Sequence, residues 1–263
     1  MYKSLYFIYI IAKNSTEQKK RVIFQMFNHL IFMFLSFYLY THIYKLSPGL
    51  QAKLPFVNTI WSMAAYFIVF WLGVRNVERR IREDILSGNI EMYLLRPMGY
   101  IWQKVFVVIG QGLAAFISAF VLSFVVSYFL VGMPIIDTPP LLWILGFLLL
   151  LFLSQFLTCL LFILCGLAGF WFDNSEPFHF IISKLIMIFG GAWVPIAFFP
   201  KAMQLIAEFS PFGGAMAVSF ALYPNFSERF PLLVLNAVFW IFVCLLLVRV
   251  ISKRAFNNLA VNG

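Results

Sequence analysis

Six long apolar runs, at residues 22–43, 57–74, 105–131, 141–171, 178–199 and 231–250, constrain this chain more than any other feature. A helix needs about 20 apolar residues to cross about 30 Å of hydrocarbon, and backbone inside a bilayer must satisfy its own hydrogen bonds. The runs therefore predict an all-α membrane protein with six transmembrane helices. Of the 263 residues 63% are hydrophobic and 11% charged, against about 25% charged in a soluble domain. That balance excludes a soluble enzyme, a disordered tail and a disulfide scaffold. The third and fourth runs exceed a span, so they are expected to tilt, bend or protrude.

The formal charge of +9 is concentrated in three places. Lys3, Lys13, Lys19, Lys20 and Arg21 precede the first run. Arg75, Arg79, Arg80, Arg82, Arg96 and Lys104 separate the second from the third, and Arg249, Lys253 and Arg254 follow the last. The other side keeps Lys45, Lys53, Lys201 and Arg229. Basic loops stay in the cytoplasm, so all three clusters and both termini are expected there, as an even number of crossings requires. Topology marking accounts for the charge, and no nucleic-acid partner is expected. In residues 1–21, Tyr2, Leu5, Tyr6, Tyr9 and Ala12 recur at helical spacing and predict an interfacial helix. The basic stretch at 13–21, with no small-residue cleavage site before it, opposes a signal peptide. Cys159, Cys165 and Cys244 lie in apolar runs without CxxC spacing and read as small buried hydrophobes. Connections too short to fold alone make residues 1–263 a single transmembrane domain.

Two connecting segments carry information. In residues 75–104, Glu78 and Arg82, Arg79 and Glu83, and Arg80 and Asp84 stand four apart with opposite charge, while Val77, Ile81 and Ile85 form an apolar stripe. The second run thus continues as a charged cytoplasmic helix. Ser87-Gly88 breaks it, and residues 89–95 form a short second helix exposing Ile90, Leu94 and Leu95 before Arg96-Pro97 stops it. Either a partner covers this face, or the helix packs under its own bundle or on the headgroups. Residues 195–221, punctuated by Pro195, Pro200 and Ser210-Pro211-Phe212-Gly213-Gly214, read as a re-entrant element on the outer side. The alternative is a lipid-facing loop with interfacial aromatic residues.

Catalytic patterns do not appear: the chain has no HExxH, no GxSxG and no GxxxxGK[ST]. His29, His42 and His179 fall in different segments and read as structural polar groups, and Asp173 and Glu176 read as the solvated cap of the helix that follows. No metal or cofactor site is expected in this chain. The third, fourth and sixth runs bury no acid or base, which disfavours proton coupling. Their neutral polar groups, with Asn58 of the second run, are Gln111, Ser118, Gln155, Thr158 and Asn236. With 33 phenylalanines in the chain, they suit an amphiphilic or lipid-like substrate, or they join helices to one another. Gly110, Ala114 and Ser118 make a small-residue packing stripe. If the protein is a pump, a separate subunit must hydrolyse the ATP.

The segment Asp84-Ile85-Leu86-Ser87-Gly88-Asn89-Ile90-Glu91-Met92-Tyr93-Leu94-Leu95-Arg96-Pro97 resembles the acidic–Ile–x–x–Gly–x–Ile–x–x–x–Leu–Leu–Arg–Pro segment of the type-2 (type V) ATP-binding-cassette exporter permeases, bacterial membrane subunits of drug or antibiotic export. The Trp193 to Pro200 stretch with Ser210-Pro211-Phe212 is similar to that family's outer element. The resemblance implies an ABC exporter of the plasma membrane, with two copies of a partner ATPase that bind ATP and Mg, and a second permease, the same or different, in contact with membrane lipids. It implies that Ile85, Ile90, Glu91, Leu94, Leu95 and Arg96 belong to a coupling helix, flanked by Arg79, Arg80, Arg82, Glu83 and Asp84. Asn58, Phe67, Phe70, Phe180, Phe189 and Trp193, on the second and fifth spans, become candidates for the cavity lining. The competing class is a membrane scaffold, or an enzyme of unrecognised type.

Overall fold

A computed structural model describes residues 19–94, 99–172 and 174–262, and these contain helices and no strand. In chain order they are α1 (Lys19–Leu46), α2 (Leu50–Lys53), α3 (Phe56–Trp71), α4 (Asn76–Leu86), α5 (Ile90–Leu94), α6 (Tyr100–Val131), α7 (Pro140–Ala168) and α8 (Glu176–Phe189). A 3-10 turn (Ile196–Phe198), α9 (Lys201–Phe209), α10 (Pro211–Gly214), a second 3-10 helix (Ala217–Leu222) and α11 (Phe226–Asn262) follow. The interfacial helix expected over residues 1–21 falls almost wholly outside the described residues.

Three described stretches are long and apolar enough to cross a membrane: Val22–Leu46, Pro140–Ala168 and Phe226–Phe256. The two parts of α6, Tyr100–Leu113 and Ala115–Val131, meet at 45° and make a fourth if they form one span. The bend lies in a run whose length exceeds a single crossing. Helices α3 and α8, with 16 and 14 residues, are shorter than a span.

α7 is the pillar of the bundle. Of its apolar stretch 67% is buried inside the protein, against 17% for α1 and 22% for α11. It packs on α11, α4, α8 and the Ala217–Leu222 helix, while α1 and α3 flank α6. On α1 the two faces are inverted relative to a soluble helix: Phe24, Phe27, Ile31, Leu35 and Tyr38 are exposed, whereas His29, Met33, Ser36 and Tyr40 are buried at the same helical period. In a bilayer the outward face meets acyl chains, so polar groups turn inward, where His29 Nε2 lies 2.9 Å from Ser123 Oγ on α6.

Close approach is set by glycine. A β-carbon at Gly166 of α7 would stand 2.9 Å from Cβ of Ile81 and 3.2 Å from the Glu78 backbone, so α4 seats directly on the α7 main chain. A β-carbon at Gly112 of α6 would stand 1.9 Å from the Leu72 carbonyl oxygen, which presses the turn after α3 onto α6.

The chain from Ala215 to Tyr223 is buried throughout. Its irregular backbone borrows partners from the long helices around it. Asn58 Nδ2 donates to Leu222 O (2.9 Å), Trp143 Nε1 to Ala221 O (2.7 Å) and Thr158 Oγ1 to Ala215 O (3.3 Å), while Val218 N donates to Ser154 Oγ (3.2 Å). Asn236 Nδ2 and Trp240 Nε1 of α11 cap the end of α9 at Glu208 O and Phe209 O. Asn58 also exchanges two hydrogen bonds with the Ile135 backbone, at 2.8 and 2.9 Å. Asn58, Thr158 and Asn236, expected either to suit a substrate or to join helices, bond the backbone of neighbouring elements, and Gln155 does the same at Val69 O (2.8 Å).

Gly166→Ala forces α4 off α7, and a loss of about 1–3 kcal/mol of stability is expected from such overpacking, read as a lower thermal midpoint of the detergent-purified protein. Asn58→Leu removes the partner of three backbone groups, among them the buried Leu222 carbonyl. It is expected to lower the midpoint further than Asn174→Leu at an exposed position.

Candidate functional site

The functional site nearest to being legible in the sequence is the hairpin formed by α4 and α5. Gly73, at φ 71°, turns the chain out of α3, and Gly88, at φ 69°, turns it again after α4. α4 is amphipathic in the ordinary sense: Val77, Glu78, Ile81 and Asp84 are buried, and Arg79, Glu83 and Leu86 are exposed. The apolar stripe expected from Val77, Ile81 and Ile85 packs on α7, where Ile85 Cδ1 lies 3.3 Å from the place of a Gly169 β-carbon.

Two of the buried residues are carboxylates, and each is tied to a different helix. Glu78 Oε1 accepts from Ser175 Oγ at 2.6 Å, and Oε2 lies 3.1 Å from His179 Nδ1 on α8. Arg82 bridges the same joint, 3.4 Å from Glu78 and 2.8 Å from Glu176. Burial raises the proton affinity of Glu78, but the hydrogen bonds from His179 and Ser175 and the charges of His179 and Arg82 outweigh it and hold the carboxyl below its usual range. Asp84 Oδ2 lies 2.5 Å from Lys104 Nζ and accepts from Tyr100 OH at 2.8 Å, both on α6. The Lys104 ammonium sits 3.6 Å from the centre of the Tyr93 ring, so a cation–π contact ties α5 to the same post.

Of the three pairs expected along α4, two form. Arg79 meets Glu83 at 2.8 Å in solvent and Arg82 meets Glu78. Arg80 instead donates to Gln111 Oε1 on α6, and Asp84 turns inward to Lys104. Asp84, expected to pair with Arg80, is therefore turned inward instead. Ile90 requires the same correction: it is 2% exposed and shares the core with Val77, Ile81 and Tyr100. The outward edge of the hairpin is made by Arg79, Glu83, Leu86, Ser87, Gly88, Asn89 and Met92, with Leu86 and Met92 the large apolar side chains. Leu95 and Arg96 lie outside the described residues, as do the side chains of Glu91 and Leu94. Lys104, read from the sequence only as a topology marker, is the buried partner of Asp84. The lone histidine on α8, His179, is the partner of Glu78. Neither contact is signalled by spacing, because the partners are 20 and 101 positions apart in sequence.

The candidate lining residues divide. Phe67 and Phe70 are neighbours on α3, with ring centres 6.3 Å apart. Phe67 lies 4.4 Å from Phe32 of α1, and Phe32 lies 5.0 Å from Trp193. At the other end the Arg75 guanidinium sits 3.4 Å above Phe70. A file of aromatic rings thus runs from Arg75 to Trp193 along α1 and α3. Phe32 completes it, and its place among the many phenylalanines of α1 gave it no distinguishing signal. Phe180 is exposed on α8, Phe189 stacks on Phe212, and Asn58 is committed to backbone, so these three do not join the file.

Because Glu78 binds its proton more weakly folded than unfolded, its stabilising share is present above its ordinary value of 4.5 and is lost as pH falls through the lower folded value. The stability gap between the native chain and Glu78→Gln is therefore expected to be full at pH 6 and to shrink toward pH 3, measured by thermal unfolding in detergent.

The sequence matches the family described as ABC-2 family transporter protein over residues 27–263. No curated protein matches it. The match takes in α4, α5 and every apolar helix from the middle of α1 onward, and the chain accordingly belongs to the ABC-2 transporter family of membrane proteins.

Proposed function

We propose that this chain is the permease subunit of an ATP-driven exporter, and that the α4–α5 hairpin is where a separate ATPase docks. The observation that carries this reading is the division of the hairpin's two sides. Its inner side is tied to α6, α7 and α8, while its outer edge presents Arg79, Glu83, Leu86 and Met92 to solvent. A charged rim around exposed apolar side chains is what a protein partner recognises. In this reading α4 carries Arg79, Arg82 and Glu83 to the ATPase, and the segment containing Glu91, Leu94, Leu95 and Arg96 extends the same surface. ATP and Mg bind in two copies of the partner, whose closure pushes on the hairpin. The push reaches α8 through Glu78 and α6 through Asp84.

Six crossings place the basic clusters and both ends of the chain in the cytoplasm of a bacterial inner membrane. α8 rises about 21 Å over its 14 residues at 1.5 Å each, short of a bilayer core of about 30 Å. The 195–221 element, read as re-entrant and buried from Gly213 onward, makes up the depth from the outer side. α8 packs on α7 and α10 but leaves Phe180, Ile181 and Ile188 exposed. This face fits a second permease, the same or different. The file from Phe70 through Phe67 to Trp193 then borders the path of an amphiphilic or lipid-like substrate, with Phe180 and Phe189 on the α8 side. Outward direction follows from the resemblance to exporters.

Leu86→Asp with Met92→Asp places two charges in the docking edge without touching the core. Membrane insertion and thermal midpoint are expected to be retained while recovery of the ATPase by affinity purification from native cells falls at least tenfold. Recovery equal to that of the unsubstituted chain contradicts the docking assignment.

A further inference from the structure

Between α1, the turn from α3 to α4, and α6 lies a chamber of about 340 Å³ whose polar wall carries Arg75, Arg79, Arg80, Glu83 and Gln111. Three guanidinium groups face one carboxylate, and that carboxylate is engaged by Arg79. Among the described residues, Arg80 is bonded to the neutral amide of Gln111, and Arg75 rests on the ring of Phe70. Neither is within ion-pair distance of a described carboxylate. Burial lowers the Arg75 guanidinium to about 10, which leaves it charged at neutral pH. Two positive charges thus line a cavity at the point where the apolar α3 gives way to the charged α4.

We propose that this chamber binds the phosphate headgroup of an anionic membrane lipid. Guanidinium groups present paired donors that match phosphate oxygens, and two guanidinium charges with no carboxylate within ion-pair distance among the described residues favour an anion. The chamber is not polar throughout: Phe70, Leu72, Val108 and Ala115 form its remaining walls. Through Gln25 and Ala115 it borders a closed seam between α1 and α6, lined by Val22, Met26, His29, Ser118, Ala119 and Leu122, which leaves no room for a further group. A lipid satisfies both walls at once, with its phosphate among the arginines and its glycerol and first acyl carbons against Phe70, Leu72, Val108 and Ala115; a free phosphate leaves the apolar half unused. Gly112 and Gly73 shape the site, Gly112 by admitting the Leu72 carbonyl against α6 and Gly73 by turning Arg75 inward from the end of α3. The site adds a lipid requirement at the root of the hairpin and does not depend on which substrate is carried.

The test uses the full chain purified in a neutral detergent and titrated with dioctanoyl phosphatidylglycerol, with dioctanoyl phosphatidylcholine and inorganic phosphate as separate arms, read by thermal shift and native mass spectrometry. Saturable phosphatidylglycerol binding is expected, weakened at least tenfold in Arg75→Gln with Arg80→Gln and unchanged in Lys253→Gln with Arg254→Gln, which removes the same charge at the far end of α11. Should the double variant fail to fold, Arg80→Gln alone is expected to weaken binding at least threefold. Undiminished binding in the variant that folds, or equal binding of phosphatidylcholine, overturns the proposal. Inorganic phosphate binding as tightly as the lipid overturns the lipid assignment in favour of a free anion.

Discussion

A carboxylate taken out of water costs several kcal/mol unless its charge is met and its lone pairs are filled, and α4 buries two of them six positions apart. Glu78 and Asp84 are tolerated because Ser175, just before α8, and His179 of α8 meet the first, and α6 supplies Lys104 and Tyr100 to the second. Removing one member of such a pair leaves a buried charge uncompensated, at a cost of about 3–5 kcal/mol. The hairpin is therefore locked to two helices at once, and Gly166 brings it against a third. An element at the edge of an apolar bundle has been made part of its mechanical frame.

A second constraint governs the opposite end. The backbone from Ala215 to Tyr223 is buried and largely irregular, so its polar groups need partners that long helices do not normally offer. Those partners are the neutral polar side chains of α3 and α7, together with the indole group of Trp143, while Asn236 and Trp240 of α11 do the same for the end of α9. Tyr223 closes the arrangement by accepting from Ile196 N at 2.9 Å. The two regions thus follow the same rule with different chemistry: buried ion pairs beneath the hairpin, uncharged hydrogen bonds around residues 215–223.

Much of this was legible in the sequence. Apolar run length located the long helices, and period-3.6 spacing gave the α4 stripe and the Arg79–Glu83 and Glu78–Arg82 pairs, because all of these are local properties. The misreadings are non-local. Arg80 and Asp84 have the spacing of an ion pair, yet Gln111 and Lys104 compete better for them because tertiary packing brings those groups closer than the next turn of the helix. Ile90 was assigned to the outward face because a five-residue helix presents little periodicity, and only the turn at Gly88 directs its side chain into the core. For Asn58 the sequence leaves a substrate role and a helix-joining role open, because an amide in an apolar run has no local partner; its backbone partners lie 77 and 164 positions away. Phe32 was indistinguishable among its neighbours for the same reason.

The central claim is that the hairpin moves with α6 and α8 as one body. The direct measurement is the distance between spin labels at Ser87→Cys and Lys184→Cys in the assembled complex, by pulsed electron resonance, with and without ATP and vanadate. The native thiols Cys159, Cys165 and Cys244 are buried, which favours labelling at the introduced sites. An unchanged distance in the two states, broadening once Glu78→Gln and Asp84→Asn are introduced, is the result this account predicts. A nucleotide-dependent change of that distance with both carboxylates in place would contradict it.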